Sequence, residues 1–322
     1  MLIATHSGKF HADDVWAVTV LDIVFPGCDL IRTRDPDKIR AADFAVDVGG
    51  VWDPQSGRFD HHQKGFDGAR LSGVVYASAG LVWKEHGARC VEIIARARAG
   101  YDVAPEQARE IAYAIDNDLV QYLDMADTGA ARNAPGGYGL SAVVSGFNPT
   151  WIDEQQAGDV AAADMLRLQR FRRAMDFMAD IIANAVIYRV GSMRAVDLVR
   201  QSERLEDGRL LLLKNGAMPW STVVRREMPK VLFVIGYHLG EQRYMINTVP
   251  ANTENFEARK DLPEAWAGLW DADLAAVTGV ADAVFCHNGR FIAAAKSFDG
   301  IMAMARQALA DDSPGTRQAA KE

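Results

Sequence analysis

The sequence predicts an α/β protein: a parallel-sheet N-terminal domain, a long connecting helix and a smaller α/β C-terminal domain. Three features support this. Strand-like apolar runs alternate with stretches of helical spacing over about the first 120 residues, and parallel strands require such crossovers. Residues 160–188 keep Leu168, Phe171, Met175, Met178 and Ile182 on one helical stripe. Strand-like runs then follow in close succession.

Leu2–Thr5 reads as a strand ending at His6, and residues 11–25 as a helix stopped by Pro26-Gly27. Asp29–Arg32 and residues 44–48 are further strands, the second stopped by Gly49-Gly50, with a brief helix opened by Asp35-Pro36 between them. The stretch 52–68, dense in Asp, His, Gln and Gly, reads as a polar loop. Residues 74–85 and 105–122 read as helices, the latter starting at Pro105, where a missing N–H costs nothing. After the 160–188 helix come strand candidates at 193–198, 210–214, 231–239, 244–249, 283–286 and 291–295, with a Pro- and Trp-containing segment at 262–270 and a last helix at 300–310. The expected domains are 1–157, a connecting helix at 158–190, and 191–312, with a polar, frayed tail from Asp311.

Composition narrows the function classes. The 322 residues are 49% hydrophobic and 24% charged, an ordinary profile for a soluble protein. No run of about 18 apolar residues exists to span a membrane. Met1-Leu-Ile-Ala-Thr-His lacks the basic start of a signal peptide. Cys28, Cys90 and Cys286 form no CxxC pair, so a disulfide framework or zinc ribbon is not expected and a cytoplasmic location is. The net charge of −8 argues against long-duplex DNA binding, yet bound cations can supply positive charge locally to an acidic enzyme.

Histidine placement is the sharpest signal. Four of seven histidines precede residue 63, each close to aspartates: His6 with His11-Ala-Asp13-Asp14, then Asp47-Val-Gly-Gly, then Asp60-His61-His62-Gln63, with Asp116-Asn117-Asp118 further on. Imidazole and carboxylate without thiolate suit Mn²⁺, with Mg²⁺, Zn²⁺ or Fe²⁺ as alternatives. Two such ions need about this many donors, and a bridging carboxylate, to activate water toward a phosphoryl centre. Each motif alone reads equally as a cap or turn; their succession at βα junctions is what points to a metal site, because functional groups in parallel sheets gather at carboxyl ends of strands.

The segments His6…Phe10-His11-Ala-Asp13, Arg32-Thr-Arg-Asp35, Asp47-Val-Gly-Gly-Val-Trp-Asp53-Pro and Arg58-Phe-Asp60-His61-His62-Gln63 resemble the DHH phosphoesterase superfamily. More narrowly they resemble its Myg family, metal-dependent hydrolases of 3′–5′ exoribonuclease type, as do residues 262–269, 277–287 and 291–292. The resemblance implies a DHH-type fold with a metal-binding catalytic domain before residue 158 and a substrate-binding domain after residue 190. It implies that His6 and His11 hold one ion, Asp13 and His61 the other, with Asp47 and Asp116 serving both. His62 would contact the scissile phosphate, and Asp60 would orient the neighbouring imidazoles. Two departures stand out: Asp118 where the family's Asp-Asn-Gly has glycine, and Ala293-Ala294 where it has Gly-Gly.

Around Gly289, His287, Asn288, Arg290 and Lys296 are the substrate-binding candidates, against a reading as a polar hairpin. Arg34 at a strand end reads as a phosphate contact or a salt bridge. Asp14, His86, Asp127 and His238 lack a constellation and read as ordinary positions, and the dispersed tryptophans as core. The expected function is divalent-metal-dependent hydrolysis of a phosphodiester in short single-stranded RNA or a nucleotide. The alternatives are a small-molecule phosphatase or pyrophosphatase, and a regulatory protein that binds metal without turnover. No membrane partner is expected, and the oligomeric state is left open, a homodimer included.

Overall fold

The computed structural model describes residues 1–130, 139–252 and 257–311. The polar tail beyond Asp311, and residue 312 of the expected domain 191–312, lie outside them. The chain divides into two compact units, Met1–Val190 and Gly191–Glu322, with two separate sheets.

In the first unit, β1 (Leu2–Thr5), β2 (Asp29–Arg32) and β3 (Phe44–Val46) are parallel, with β1 between the other two. Helices α1 (Ala12–Val24) and α2 (Pro36–Ala41) make the crossovers. The segment 52–68, expected as loop, contributes β4 (Trp52–Asp53) and β5 (Arg58–Phe59). β5 pairs parallel to β3 and antiparallel to β4, for an order β2-β1-β3-β5-β4. Two-residue strands leave too little alternation to be seen as a pattern. Because the chain steps from β1 to β2 on one side and then to β3 on the other, the topological switch lies between the ends of β1 and β3, the crevice where α/β proteins place ligands.

Helix α3 (Ser78–Ala99) covers the sheet alongside α1, with Trp16 and Trp83 packed edge-to-face at 5.4 Å. It starts later and runs further than the 74–85 stretch expected. The expected helix 105–122 is α4 (Pro105–Ile115), one π-helical turn (Asp116–Val120) and α5 (Gln121–Asp127). Short helices α6 (Leu140–Ser145) and α7 (Trp151–Ala157) precede α8 (Val160–Arg200). Residues 193–198, expected as a strand, belong to α8. Ala195 and Val199 are buried one helical turn apart, on the side about 180° from Val186 and Val190, so α8 changes its buried face here and the burial of that second face outweighs the local strand preference.

The second unit holds β6 (Glu203–Leu205), β7 (Leu210–Leu213), α9 (Ser221–Glu227), β8 (Phe233–His238), β9 (Arg243–Thr248), α10 (Asp271–Thr278), β10 (Ala283–Cys286), β11 (Ile292–Ala295) and α11 (Phe298–Ala310). Its sheet runs β10-β11-β9-β8-β7-β6, antiparallel except for β7 beside β8. One face packs Phe233, Ile235 and Ile246 against Ile301, Met304 and Ala305 of α11. The other buries Leu211, Leu213 and Val234 under α9 and Val199. Among the described residues no helix is long and apolar enough to cross a membrane.

Candidate metal centre

The carboxyl ends of β1 and β3 deliver His6 and Asp47. Asp47 has a left-handed backbone (φ 55) ahead of Gly49 and Gly50, which also have positive φ. Aspartate tolerates that region better than most side chains, and the reversal turns its carboxylate into the crevice. Oδ2 of Asp47 lies 3.3 Å from His6 Nε2 and Oδ1 lies 3.3 Å from His61 Nε2, so one carboxylate spans two imidazoles. Ser78 Oγ, at the start of α3, donates to Oδ1 at 3.3 Å.

His6 Nδ1 stands 3.1 Å from the Ser7 carbonyl. The same Nδ1 lies 3.4 Å from Arg34 Nη2, while Nε2 faces the crevice. There Nε2 meets Asp14 Oδ2 at 3.2 Å as well as Asp47. Asp14 is pinned in the first turn of α1, where its other oxygen accepts from the His11 and Val15 amides at 2.9 Å. His11 caps the same helix, with its ring 5.6 Å from that of His6 and its Nδ1 3.8 Å from Asp127 Oδ1. His61 Nε2 lies 3.2 Å from Asp127 Oδ2. Asp60, buried, accepts from the Gly50 amide, the His62 amide (3.0 Å) and His62 Nδ1 (2.8 Å). It thereby fixes the ring of His62, which is 60% exposed. His6, His11, Arg34, Asp47, His62 and Asp127 line a cavity of about 640 Å³.

These donors fit a divalent cation better than one another. His6 Nε2, His61 Nε2, Asp14 Oδ2 and both oxygens of Asp13 are buried without an aligned hydrogen bond. Ligands held about 2.1 Å from one ion sit about 3.0–3.4 Å apart around it. The Asp14–His6, Asp47–His6, Asp47–His61 and Asp127–His61 spacings are all 3.2–3.3 Å. Among the described residues, three sets of donors could each hold an ion: His6, His11 and Asp47; Asp47, His61 and His62; His11, Asp13 and Asp127.

Without a cation, protons must balance the charge. Burial alone would lower the His6 pKa, but Asp14 and Asp47 outweigh it and raise it to about 10. Asp127 and Asp47 likewise overcome burial to bring His61 to about 10. Burial pushes the Asp13 carboxyl well above its usual range, helped by Asp47 and Asp127. Burial would also raise Asp47, yet His6 and His61 hold it below the carboxylate range.

The structure brings together His6, His11, Asp13, Asp47, His61 and His62, with Asp60 behind His62. It does not bring Asp116. That carboxylate takes a bidentate pair from Arg70, Nε to Oδ2 at 2.7 Å and Nη2 to Oδ1 at 2.6 Å. Asp127 stands in the centre instead, and Asp14 joins it, although both were read as ordinary positions. A signal was present: Asp127-Thr128-Gly129 has an aspartate two residues before a glycine, the spacing sought at residues 116–118. Asp118 pairs with Arg189 of α8, and Ala293 and Ala294 are fully buried in β11. His287 and Asn288 are exposed at the β10–β11 turn. Arg290, at the same turn, is paired with Asp261 at 3.1 Å, and Lys296 lies at the opposite end of the hairpin, beside Asp282. The four substrate-binding candidates therefore do not form one cluster. His86 packs among Phe25, Phe44 and Phe59.

Fold and centre define a two-unit α/β protein whose oxygen-and-imidazole metal-type centre sits at the switch point of a parallel sheet. The sequence model MYG1_exonuc, described as an uncharacterised protein family (UPF0160), matches residues 2–309, and the chain belongs to that family. Human MYG1 exonuclease is 30% identical over 338 residues, covering 97% of this chain and 86% of the human one. A Caenorhabditis elegans MYG1 protein is 30% identical over 337 residues, covering 96% and 95%. Among solved structures, the chain is similar to exonuclease RecJ bound to manganese, with 14% identity, a TM-score of 0.28, and 96% of this chain and 89% of that one covered. It is also similar to RecJ from Thermus thermophilus in complex with Mn²⁺, with 15% identity and a TM-score of 0.25; 96% of this chain is covered, and it spans about half (52%) of that one. TM-scores this low do not equate the folds.

Proposed function

We propose that the chain is a divalent-metal-dependent phosphodiester hydrolase, a 3′–5′ exonuclease acting on short single-stranded RNA. The observation that carries this reading is the convergence of Asp13, Asp47, His6, His61 and Asp127 on one crevice, where His6 Nε2, His61 Nε2 and both Asp13 oxygens are buried without an aligned hydrogen bond among the described residues. Membership of a family whose human relative is named an exonuclease supports the phosphodiester class.

Two Mn²⁺ or Mg²⁺ ions would supply the positive charge and acidify the attacking water. The residues have separable tasks. Asp47 lies between the two imidazoles and serves both halves of the site. His6, His11 and Asp14 form one side, and His61, Asp127 and Asp13 the other. His62, held through Nδ1 by Asp60, turns Nε2 toward the open cavity, where it can donate to a phosphate oxygen as negative charge develops. Arg34 lines the same cavity and adds a fixed positive charge.

The test is an assay of purified protein with added Mn²⁺ against a labelled oligoribonucleotide, pyrophosphate and a chromogenic phosphodiester. The expected result is release of mononucleotides from the oligomer, with a loss of at least about 100-fold in His61→Ala and Asp127→Ala. Faster release of phosphate from pyrophosphate would replace the nuclease with a pyrophosphatase. Equal background rates in wild type and variants on all three would end the enzymatic reading.

A further inference from the structure

Arg70 lies in the segment that follows the His61-His62 pair, and its backbone is held in a tight loop by Arg70 N to Val74 O and Gly73 N to Arg70 O, both at 2.9 Å. Its side chain is almost fully buried. The guanidinium forks onto both oxygens of Asp116 and also places Nη2 2.7 Å from Asp124 Oδ2. The Tyr76 ring backs it at 4.3 Å.

One cation reaches both carboxylates because of the π-helical turn between them. At about 100° per residue, positions eight apart on a regular helix diverge by about 80°. One extra residue absorbed in a π turn brings them to within about 20°. Asp124 is fully buried, and its Oδ1 accepts from the Gly80 amide at 3.0 Å. A Cβ on Gly80 would collide with Asp124 Oδ2 and stand 2.8 Å from Arg70 Nη2, so only glycine admits this packing. Three residues beyond Asp124 on the same helix stands Asp127. The arginine lock therefore ties the strand-to-loop segment bearing His61 to the helix bearing Asp127.

We propose that Arg70 is a positioning residue of the metal centre: by gripping Asp116 and Asp124 it fixes the turn and helix that present Asp127 to His61 and His11. This rests on the metal-centre reading above. Lysine cannot replace the fork, because a single ammonium does not hold both carboxylates in one plane. Loosening the lock moves Asp127 off its 3.2 Å approach to His61.

The test is Mn²⁺ affinity, read from the loss of the free-ion electron paramagnetic resonance signal on titration. Arg70→Lys and Gly80→Ala would be compared with wild type, each alone and combined with Asp127→Asn. Val91→Ala, a core truncation in α3, controls for general destabilisation. Arg70→Lys and Gly80→Ala should each weaken Mn²⁺ binding by about 10–100-fold, with neither weakening it further once Asp127 is asparagine, and Val91→Ala should stay within about twofold of wild type. Gly80→Ala keeps every charge and adds a better helix former, so it reads the lock even where Arg70→Lys fails to fold. Wild type that binds no Mn²⁺ removes the metal reading and this proposal with it. Wild type that binds while both variants match it, or variants that lose as much on the asparagine background, overturns the role of Arg70 alone.

Discussion

Asp116 and Asp127 lie on one helical run and face different partners, Asp116 the Arg70 guanidinium and Asp127 the His61 imidazole. On an uninterrupted helix, positions eleven apart would face within about 20° of each other. The π turn at Asp116–Val120 separates their directions by about 80°. The prediction is that Asp127→Asn weakens Mn²⁺ binding by more than about 100-fold and Asp116→Asn by no more than about 10-fold. Isothermal titration of the two variants checks it, and the reverse order would return the ligand role to Asp116.

That pair also marks how far the sequence could be read. His6, His11, Asp13 and Asp47 were visible because each sits within a residue or two of a legible strand end or helix start, and His61 because it stands in the Asp60-His61-His62 cluster. Asp127 was not, since its direction depends on a π turn that leaves no period in the sequence. Asp14 reads in the sequence as an ordinary position; it closes the first turn of α1 with one oxygen and gives the second to His6. The α/β order of the first unit was legible from alternating patterns. β4 and β5 were too short to show, and residues 193–198 went to α8 because Ala195 and Val199, one helical turn apart, are buried on a second face of that helix.

Metal binding should release protons. In the metal-free protein His6 and His61 titrate near pH 10, so both are charged at pH 7, and an imidazolium must lose its proton to ligate. Mn²⁺ affinity therefore rises with pH between 6 and 8, and calorimetry in buffers of different ionisation enthalpy should show net proton release. The same shifts govern metal-free stability. Folded pKa values raised above 6.5 favour the charged native form, so this contribution is complete below pH 6.5 and lost as pH climbs through about 10. Affinity independent of pH would contradict both statements.

Asp13 is a carboxylate that the fold holds at a cost. It is buried with both oxygens unpartnered, and its pKa is raised by burial and by Asp47. A raised carboxyl destabilises the native state increasingly as pH rises above 3.8, because the native protein favours the protonated form that solution no longer supplies. Asp13→Asn removes that penalty, about 1–3 kcal/mol, so in EDTA its Tm should exceed wild type by a few degrees. In saturating Mn²⁺ the order should invert, since wild type alone gains the full binding energy. Thermal scans of both proteins in both buffers decide it: a lower Tm for the variant in EDTA would show that the carboxylate has a partner after all.

His86 provides the opposite sign in the same unit. Its ring lies 5.5 Å from Phe25, 6.2 Å from Phe44 and 5.7 Å from Phe59, and burial among them lowers its pKa below 6.5. The unfolded chain then binds a proton that the native state refuses. The contribution is complete above pH 6.5 and is lost as pH falls from there toward the lower native value, at no more than about 1.4 kcal/mol per pH unit. His86→Leu keeps an apolar side chain in the cage and cannot titrate. In urea unfolding, the stability of wild type relative to His86→Leu should therefore fall between pH 7.5 and 5.5, while His6 and His61 contribute equally to both proteins and cancel. A difference that stays constant over that interval would mean that His86 takes up its proton inside the aromatic cage, and that solvent reaches it there.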